Sequence, residues 1–257
     1  SSIQISSSSF RINRGGPGSD TTVTMEALAA RFGDGPGDLK NIELWNQAIT
    51  LGYNFLDAAD HEAKYHVVHE SFLLGSLRKL AGNGYKGLDW KHWGWAIGMD
   101  AEYARFYRKN RAERAMDWGV QACAVPEAGF VNASYGVNNF MITAKSCKKF
   151  VCEIRSDYAW CEGGRETMYL PIDDVDYFVE VDVDDPKYQW PYIAEKEIQP
   201  KPEEKAIAQN ILSIMRDGDC IQVGIGALPT AVVIALGESN LRHIGTHTEM
   251  IGEYAFT

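Results

Sequence analysis

The chain has 257 residues, 45% of them hydrophobic and 23% charged, with a formal charge of −10 and five cysteines. Such a length can bury a sizeable core, and a composition near the globular average excludes disordered, collagen-like and disulfide-scaffold classes. No apolar run approaches the roughly eighteen residues of a membrane span, and 35 acidic against 25 basic residues argue against nucleic acid as a partner.

In chain order, Ile3-Gln4-Ile5 and the serines at 6–9 open as a strand or a loop, and Gly15-Gly16-Pro17-Gly18 reads as a turn. Residues 22–32 read as a helix, with Met25, Leu28, Ala29 and Phe32 on one face. Gly33 and Gly35-Pro36-Gly37 end it, and a strand resumes at 39–44. The stretch 51–118 is rich in aromatic residues and helical in pattern: 61–80 places Val68, Phe72, Leu73 and Leu77 at helical spacing, and 100–109 places Tyr103 and Tyr107 four apart. Then come a buried strand at 119–125, a turn at Pro126-Glu127-Ala128-Gly129, a helix at 138–147, a strand at 149–154 and an alternating strand at 175–183.

The proline-rich stretch 185–204 is the best boundary, so the expected organisation is a first domain at 1–184, a linker at 185–204 and the start of a second domain at 205–257. Beyond it, 206–216 reads as a helix with Ile207, Ile211 and Ile214 on one face. Cys220-Ile221-Gln222-Val223 is a strand, Gly224-Ile225-Gly226-Ala227-Leu228-Pro229 a tight turn, 230–236 a helix and 241–246 a strand.

The two ends repeat one pattern. Ser2-Ile3-Gln4-Ile5, a glycine turn, a helix and Leu39-Lys40-Asn41-Ile42 match Cys220-Ile221-Gln222-Val223, a glycine turn, a helix and Leu241-Arg242-His243-Ile244. Repeated strand–turn–helix–strand units predict an α/β fold, with open, mostly parallel sheets and helices on both faces. The first copy has nothing before it to match the helix preceding the second, so an opening helix is expected to be missing.

Two segments can carry chemistry. The turn at Gly224 to Pro229, between strand and helix, lets backbone N–H groups face an anion or a developing oxyanion, although an ordinary βα turn explains it as well. Gly245-Thr246-His247-Thr248-Glu249-Met250 follows a strand, where α/β sheets gather their ligands. Glu249 there can serve as nucleophile, base or metal ligand, and the alternative is a solvated loop. No third ligand at metal spacing accompanies His247 and Glu249, so no metal is expected. His61, His66 and His69 fall on one predicted helix without the metalloprotease spacing, and a core or surface role is expected for them. Trp90, Trp93 and Trp95 read as core or as the wall of an acyl pocket. The cysteines read as reduced, inert core in a cytoplasmic setting, with Cys161 the one exposed thiol.

The segment 206–250 resembles the class I coenzyme A transferase family, in the branch holding 4-hydroxybutyrate and butyryl-CoA:acetate CoA-transferases and acetyl-CoA hydrolases. The resemblance rests on Asp217-Gly218-Asp219, on Gln222-Val223-Gly224-Ile225-Gly226-Ala227-Leu228-Pro229, on Ala231-Val232 and on Gly245-Thr246-His247-Thr248-Glu249-Met250. Glu127-Ala128-Gly129-Phe130, Gly136, Ala144-Lys145 and Asp176-Tyr177-Phe178-Val179-Glu180 resemble the family's N-terminal domain more loosely.

The resemblance implies a fold of two similar domains, the second incomplete here, and a ping-pong transfer of CoA between a short-chain acyl-CoA and a small carboxylate. Glu249 would be the nucleophile, forming a glutamyl-CoA thioester, and Gly224, Ile225, Gly226 and Ala227 would hold the thioester oxyanions. Coenzyme A enters as substrate, with no metal, nucleic acid or membrane. A homo-oligomer, or pairing with a chain that supplies the C-terminal domain, is implied. Two alternatives stay open: an acyl-CoA hydrolase of the same family, and a non-catalytic CoA-binding subunit. Ile251-Gly252-Glu253-Tyr254 departs from the family's usual continuation, so the acyl group is not assigned. The chain is expected to be part of something longer.

Overall fold

The computed structural model describes residues 10–14, 21–46, 63–70, 75–90, 116–188, 199–224 and 226–249. The chain divides into two compact units, Ser1–Trp190 and Pro191–Thr257. In the first unit the strands are β1 (Phe10–Arg14), β2 (Ile42–Asn46), β3 (His66–Glu70), β4 (Leu88–Trp90), β5 (Met116–Ala124), β6 (Phe130–Asn132), β7 (Cys147–Arg155), β8 (Tyr169–Pro171) and β9 (Tyr177–Glu180). Its helices are α1 (Val23–Ala29), α2 (Gly75–Gly82), α3 (Phe140–Ser146) and the single turn α4 (Arg165–Met168).

Seven strands form one sheet in the order β4-β3-β2-β1-β5-β7-β9, every neighbouring pair parallel. The chain winds outward from β1 to β4, returns to the middle at β5 and winds the other way through β7 to β9. That arrangement is the open parallel α/β fold expected. β6 and β8 make a separate antiparallel ribbon.

Both faces of the sheet are covered. On one, Ile12, Ile42, Leu44, Val68, Val120 and Val151 pack with Met25 of α1 and Leu77 of α2. On the other, Phe140 and Ala144 of α3 pack with Phe150 and Cys152. This second face also carries a row of polar side chains. The Arg11 amide donates to Asp117 (2.9 Å), which pairs with Lys148 (2.8 Å), while the Arg11 guanidinium pairs with Glu43 (3.2 Å). His69 lies between Glu43 (3.5 Å) and Asp89 (2.8 Å), stacked on Trp45.

One buried contact ties helix to sheet. Glu153 on β7 accepts hydrogen bonds from the backbone N–H groups of Thr22 (2.9 Å) and Thr24 (2.6 Å) at the start of α1. Thr22, the N-cap, makes no side-chain cap of its own, so a strand carboxylate does that work. Burial pushes the Glu153 carboxyl above its ordinary value, and the N–H donors of Thr22 and Thr24 pull against that rise.

The structure corrects several expectations. The first described strand is Phe10–Arg14, a segment that the sequence pattern does not mark as a strand; Ile3-Gln4-Ile5 and Gly15-Gly16-Pro17-Gly18 lie outside the described residues. Phe10 and Ile12 alternate with polar partners, but Arg14 is fully buried, its Nη1 donating to Asn46 Oδ1 at 3.0 Å. The helix expected at 61–80 is instead strand β3 followed by helix α2. His66 and Val68 are buried on one face of β3 and Val67 and His69 half-buried on the other, and His-Val-Val-His-Glu, lacking an apolar–polar alternation, mimics a helical face. His66 and His69 therefore point to opposite faces of the sheet. His66 is buried, held to the Tyr85 hydroxyl at 2.8 Å and stacked on Phe32. His61, Trp93, Trp95 and the helix expected at 100–109 lie outside the described residues, and Trp90 is 52% exposed rather than core.

In the second unit, α5 (Pro202–Ile214) begins inside the stretch read as linker. Proline suits the first helical position because its missing N–H has no partner there anyway, and the Lys201 amide donates to Glu204 at 2.7 Å. α5 meets α6 (Ala227–Gly237) through small side chains, with Ala208 against Ala231 and Ala235 and with Leu212 alongside. The expected isoleucine face does not make that contact: Ile207 is 43% and Ile214 78% exposed. Strands β10 (Cys220–Ile221) and β11 (Gly245–Thr246) pair in parallel, so β10-α6-β11 repeats the strand–helix–strand order of β1-α1-β2. Among the described residues, the exposed thiol is Cys220, on the short strand β10. Cys161 is half-buried, with its sulfur against the Ala159 carbonyl.

Candidate functional site

The candidate residues lie around β10 and β11, which pair through only two residues each (Cys220 with Gly245, Ile221 with Thr246). So short a ladder is marginal by itself, and side chains hold it at both ends. At the amino end, Asp217 accepts from the Arg242 amide (2.8 Å), Gly218 N–H donates to the Arg242 carbonyl (3.0 Å), and Asp219 accepts from the Arg216 amide (2.8 Å). The Asp-Gly-Asp segment is thus a clamp, aided by Gly218 at a positive φ of 83°. The main-chain ladder continues through Gly245 N–H to the Asp219 carbonyl (2.8 Å) and His247 N–H to the Ile221 carbonyl (2.9 Å).

At the carboxyl end both chains leave the ladder as candidate site segments. β10 runs through Val223 into Gly224 and Gly226, and β11 runs through His247 and Thr248 into Glu249. Thr248 Oγ1 accepts from Val223 N–H (3.1 Å) and donates to the Val223 carbonyl (2.9 Å). Gly224 and Glu249 each follow directly on a residue of that bonded pair. Parallel pairing, with both strands ending on the same side, thereby brings the glycine turn and the glutamate together. Glu249 and His247 are exposed, which leaves the carboxylate open to a dissolved ligand. Ile225 and Met250 lie outside the described residues.

Gly226 caps α6 at φ 130° and ψ 174°. Its carbonyl accepts from both the Thr230 amide (3.1 Å) and the Thr230 hydroxyl (3.0 Å). Ala227 and Leu228 then form the first helical turn with Pro229, which has no N–H. The first two amides are not consumed by intrahelical bonds, and the helix dipole adds positive potential where they point. Gly226→Ala should cost about 1–3 kcal/mol, because that backbone region is nearly closed to a residue with a Cβ. A fall in the urea midpoint of the second unit would register it.

Sequence reasoning found the glycine turn and Glu249 and missed the roles of Asp217, Asp219 and Thr248. Bonds from a side chain to a distant backbone group leave no periodic trace. Among the described residues no group of three or more His, Cys, Asp or Glu is arranged to hold a metal, and no helix is long and apolar enough to cross a membrane.

No protein-family model matches the chain. The curated relatives that match are named as CoA-transferases of several acyl groups. The probable butyrate:acetyl-CoA coenzyme A-transferase of Syntrophomonas wolfei is 30% identical over 131 residues, 51% of this chain and 28% of that protein. Among solved structures, RipA from Yersinia pestis superposes with a TM-score of 0.73 at 21% identity, over 98% of this chain and 55% of its own. The 4-hydroxybutyrate CoA-transferase of Porphyromonas gingivalis gives a TM-score of 0.60 at 18% identity, over 99% of this chain and 53% of its own. The chain thus spans about half of each of these structures, and its matched stretch under a third of the curated relative. These likenesses bear out the resemblance to CoA-transferases and the fold expected from it.

Proposed function

We propose that the chain is the nucleophile-bearing part of an acyl-CoA:carboxylate CoA-transferase, with residues 1–184 as its N-terminal domain and 205–257 as the start of a second. The observation that carries this reading is an exposed glutamate, Glu249, at the carboxyl end of β11, coupled through Thr248 and Val223 to a glycine turn at the N-terminus of α6.

The Glu249 carboxylate attacks the thioester carbonyl of an acyl-CoA. The C–S bond breaks, leaving a mixed anhydride and CoA thiolate. The thiolate then attacks the glutamyl carbonyl of the anhydride, expelling the first carboxylate and leaving a glutamyl-CoA thioester. A second carboxylate takes the CoA by the same steps in reverse, so one thioester is exchanged for another with no water consumed. A carboxylate suits the role because its acyl derivatives remain reactive towards thiolate and carboxylate alike. Each attack places charge on a carbonyl oxygen, and the amides at Gly224, Ile225, Gly226 and Ala227 are the proposed donors to it. Coenzyme A is the substrate's carrier group, and the scheme requires no metal.

The test is to incubate the complete protein with acyl-CoA, trap with hydroxylamine or borohydride, and map the modified peptide by mass spectrometry. Modification at Glu249 that depends on acyl-CoA is expected. Modification at another residue, or none in active protein, overturns the assignment. Release of CoA that needs an added carboxylate separates transfer from hydrolysis.

A further inference from the structure

We infer that Thr248 is a positioning residue, which holds the glycine turn and the Glu249 carboxylate in one fixed relation. The inference rests on the CoA-transfer reading above and adds a residue to it. Main-chain pairing between β10 and β11 ends at the bond from His247 N–H to the Ile221 carbonyl. One step further on, a side chain takes the place of the ladder: the Thr248 hydroxyl bonds both the N–H (3.1 Å) and the carbonyl (2.9 Å) of Val223. A single hydroxyl thus occupies both polar groups of the residue before Gly224, and it belongs to the residue before Glu249.

Thr248 and Val223 are half-buried while Glu249 and Gly224 are exposed. The clip is therefore drier than the groups it places, and its two bonds are correspondingly firm. Two bonds to one residue fix direction as well as distance, whereas a single bond would leave the turn free to pivot. Displacements of about 1 Å between reacting groups cost on the order of a hundredfold in rate. Valine matches threonine in shape but offers neither donor nor acceptor, so it leaves the Val223 N–H to find water and the Val223 carbonyl with the Gln222 Nε2 donor (3.0 Å). Serine retains the hydroxyl.

The test compares Thr248→Val and Thr248→Ser in the complete protein, with Glu249→Ala beside them. Thr248→Val is expected to lower kcat about 10- to 100-fold while KM for acyl-CoA stays within about threefold. Thr248→Ser is expected to keep kcat within about threefold of the parent. Hydrogen exchange at the Val223 amide should quicken in the valine variant and not in the serine variant, a readout that needs no activity. Where the valine chain does not fold, Thr248→Ala carries the same comparison. Parental kcat in Thr248→Val, an equal fall in Thr248→Ser, or a loss confined to KM overturns the positioning role. If Glu249→Ala is inactive while Thr248→Val turns over at the parental rate, the role of Thr248 alone falls. Turnover retained by Glu249→Ala removes the nucleophile and the positioning role together.

Discussion

Glu249→Ala in the complete protein is expected to abolish CoA exchange, with turnover falling by roughly a thousandfold or more, because the proposed mechanism builds its covalent intermediate on this carboxylate. Glu249→Gln should fall as far. An amide keeps the shape and some of the hydrogen bonding but is a far poorer nucleophile, so the loss isolates the carboxylate's chemistry from its volume. Affinity for CoA should change little in either variant, since the glutamate contributes to the acyl step rather than to holding the carrier. Isotope exchange between a labelled carboxylate and its own acyl-CoA is the sharper measurement, because it reports glutamyl-thioester formation without a second, different carboxylate. Exchange persisting in both variants would show that another residue forms the thioester with CoA, and the reading of the glycine turn would then need a different nucleophile.

Glu153→Ala is expected to cost about 2–4 kcal/mol of stability, although Glu153 belongs to the first unit and plays no part in the proposed chemistry. The substitution strips the acceptor from two backbone N–H groups, those of Thr22 and Thr24, and leaves a void between α1 and the sheet. Urea unfolding read by a probe in the first unit measures it, and a midpoint unchanged from the parent would refute the capping role. The pH dependence follows from the direction of the shift. Burial raises the folded carboxyl above its ordinary value of 4.5, so the stability linked to this proton is present below that value and is lost as pH rises through the folded one. Glu153→Gln carries no such proton. Its stability relative to the parent should therefore improve as pH rises above 4.5, even though its amide can accept only one of the two bonds.

The parts of the fold that were legible in the sequence share a cause. β5, β7 and α3 are long or sharply bounded, and α1 sets Met25, Leu28 and Ala29 at helical spacing around a buried methionine. β3 reads as part of a helix because His-Val-Val-His-Glu carries no apolar–polar alternation to mark a strand. β1 was passed over because Arg11, Asn13 and Arg14 look like loop residues. Only tertiary partners, such as Asn46 for Arg14, make their burial tolerable. For the site, the strand–glycine–helix pattern and the glutamate after the second strand were visible because each is local. The Glu153 cap was not, since its partners lie 131 and 129 residues away. Thr248 stands within the motif, but its partner Val223 lies 25 residues away, which hides its role.

The position of β1 bears on how the chain reaches this state. β1 borders β2 across a single short crossover, but it borders β5 only after the chain has completed the whole excursion through β4. The Arg11–Asp117 bond joins residues 106 apart. Closing so long a loop costs entropy before any packing repays it, so the β1–β5 seam should form late, after β1-α1-β2 and β5-α3-β7 have each condensed from nearby segments. A substitution at that seam, such as Asp117→Ala, should then quicken unfolding and leave the refolding rate nearly untouched. The middle of the finished sheet is in that sense its youngest join.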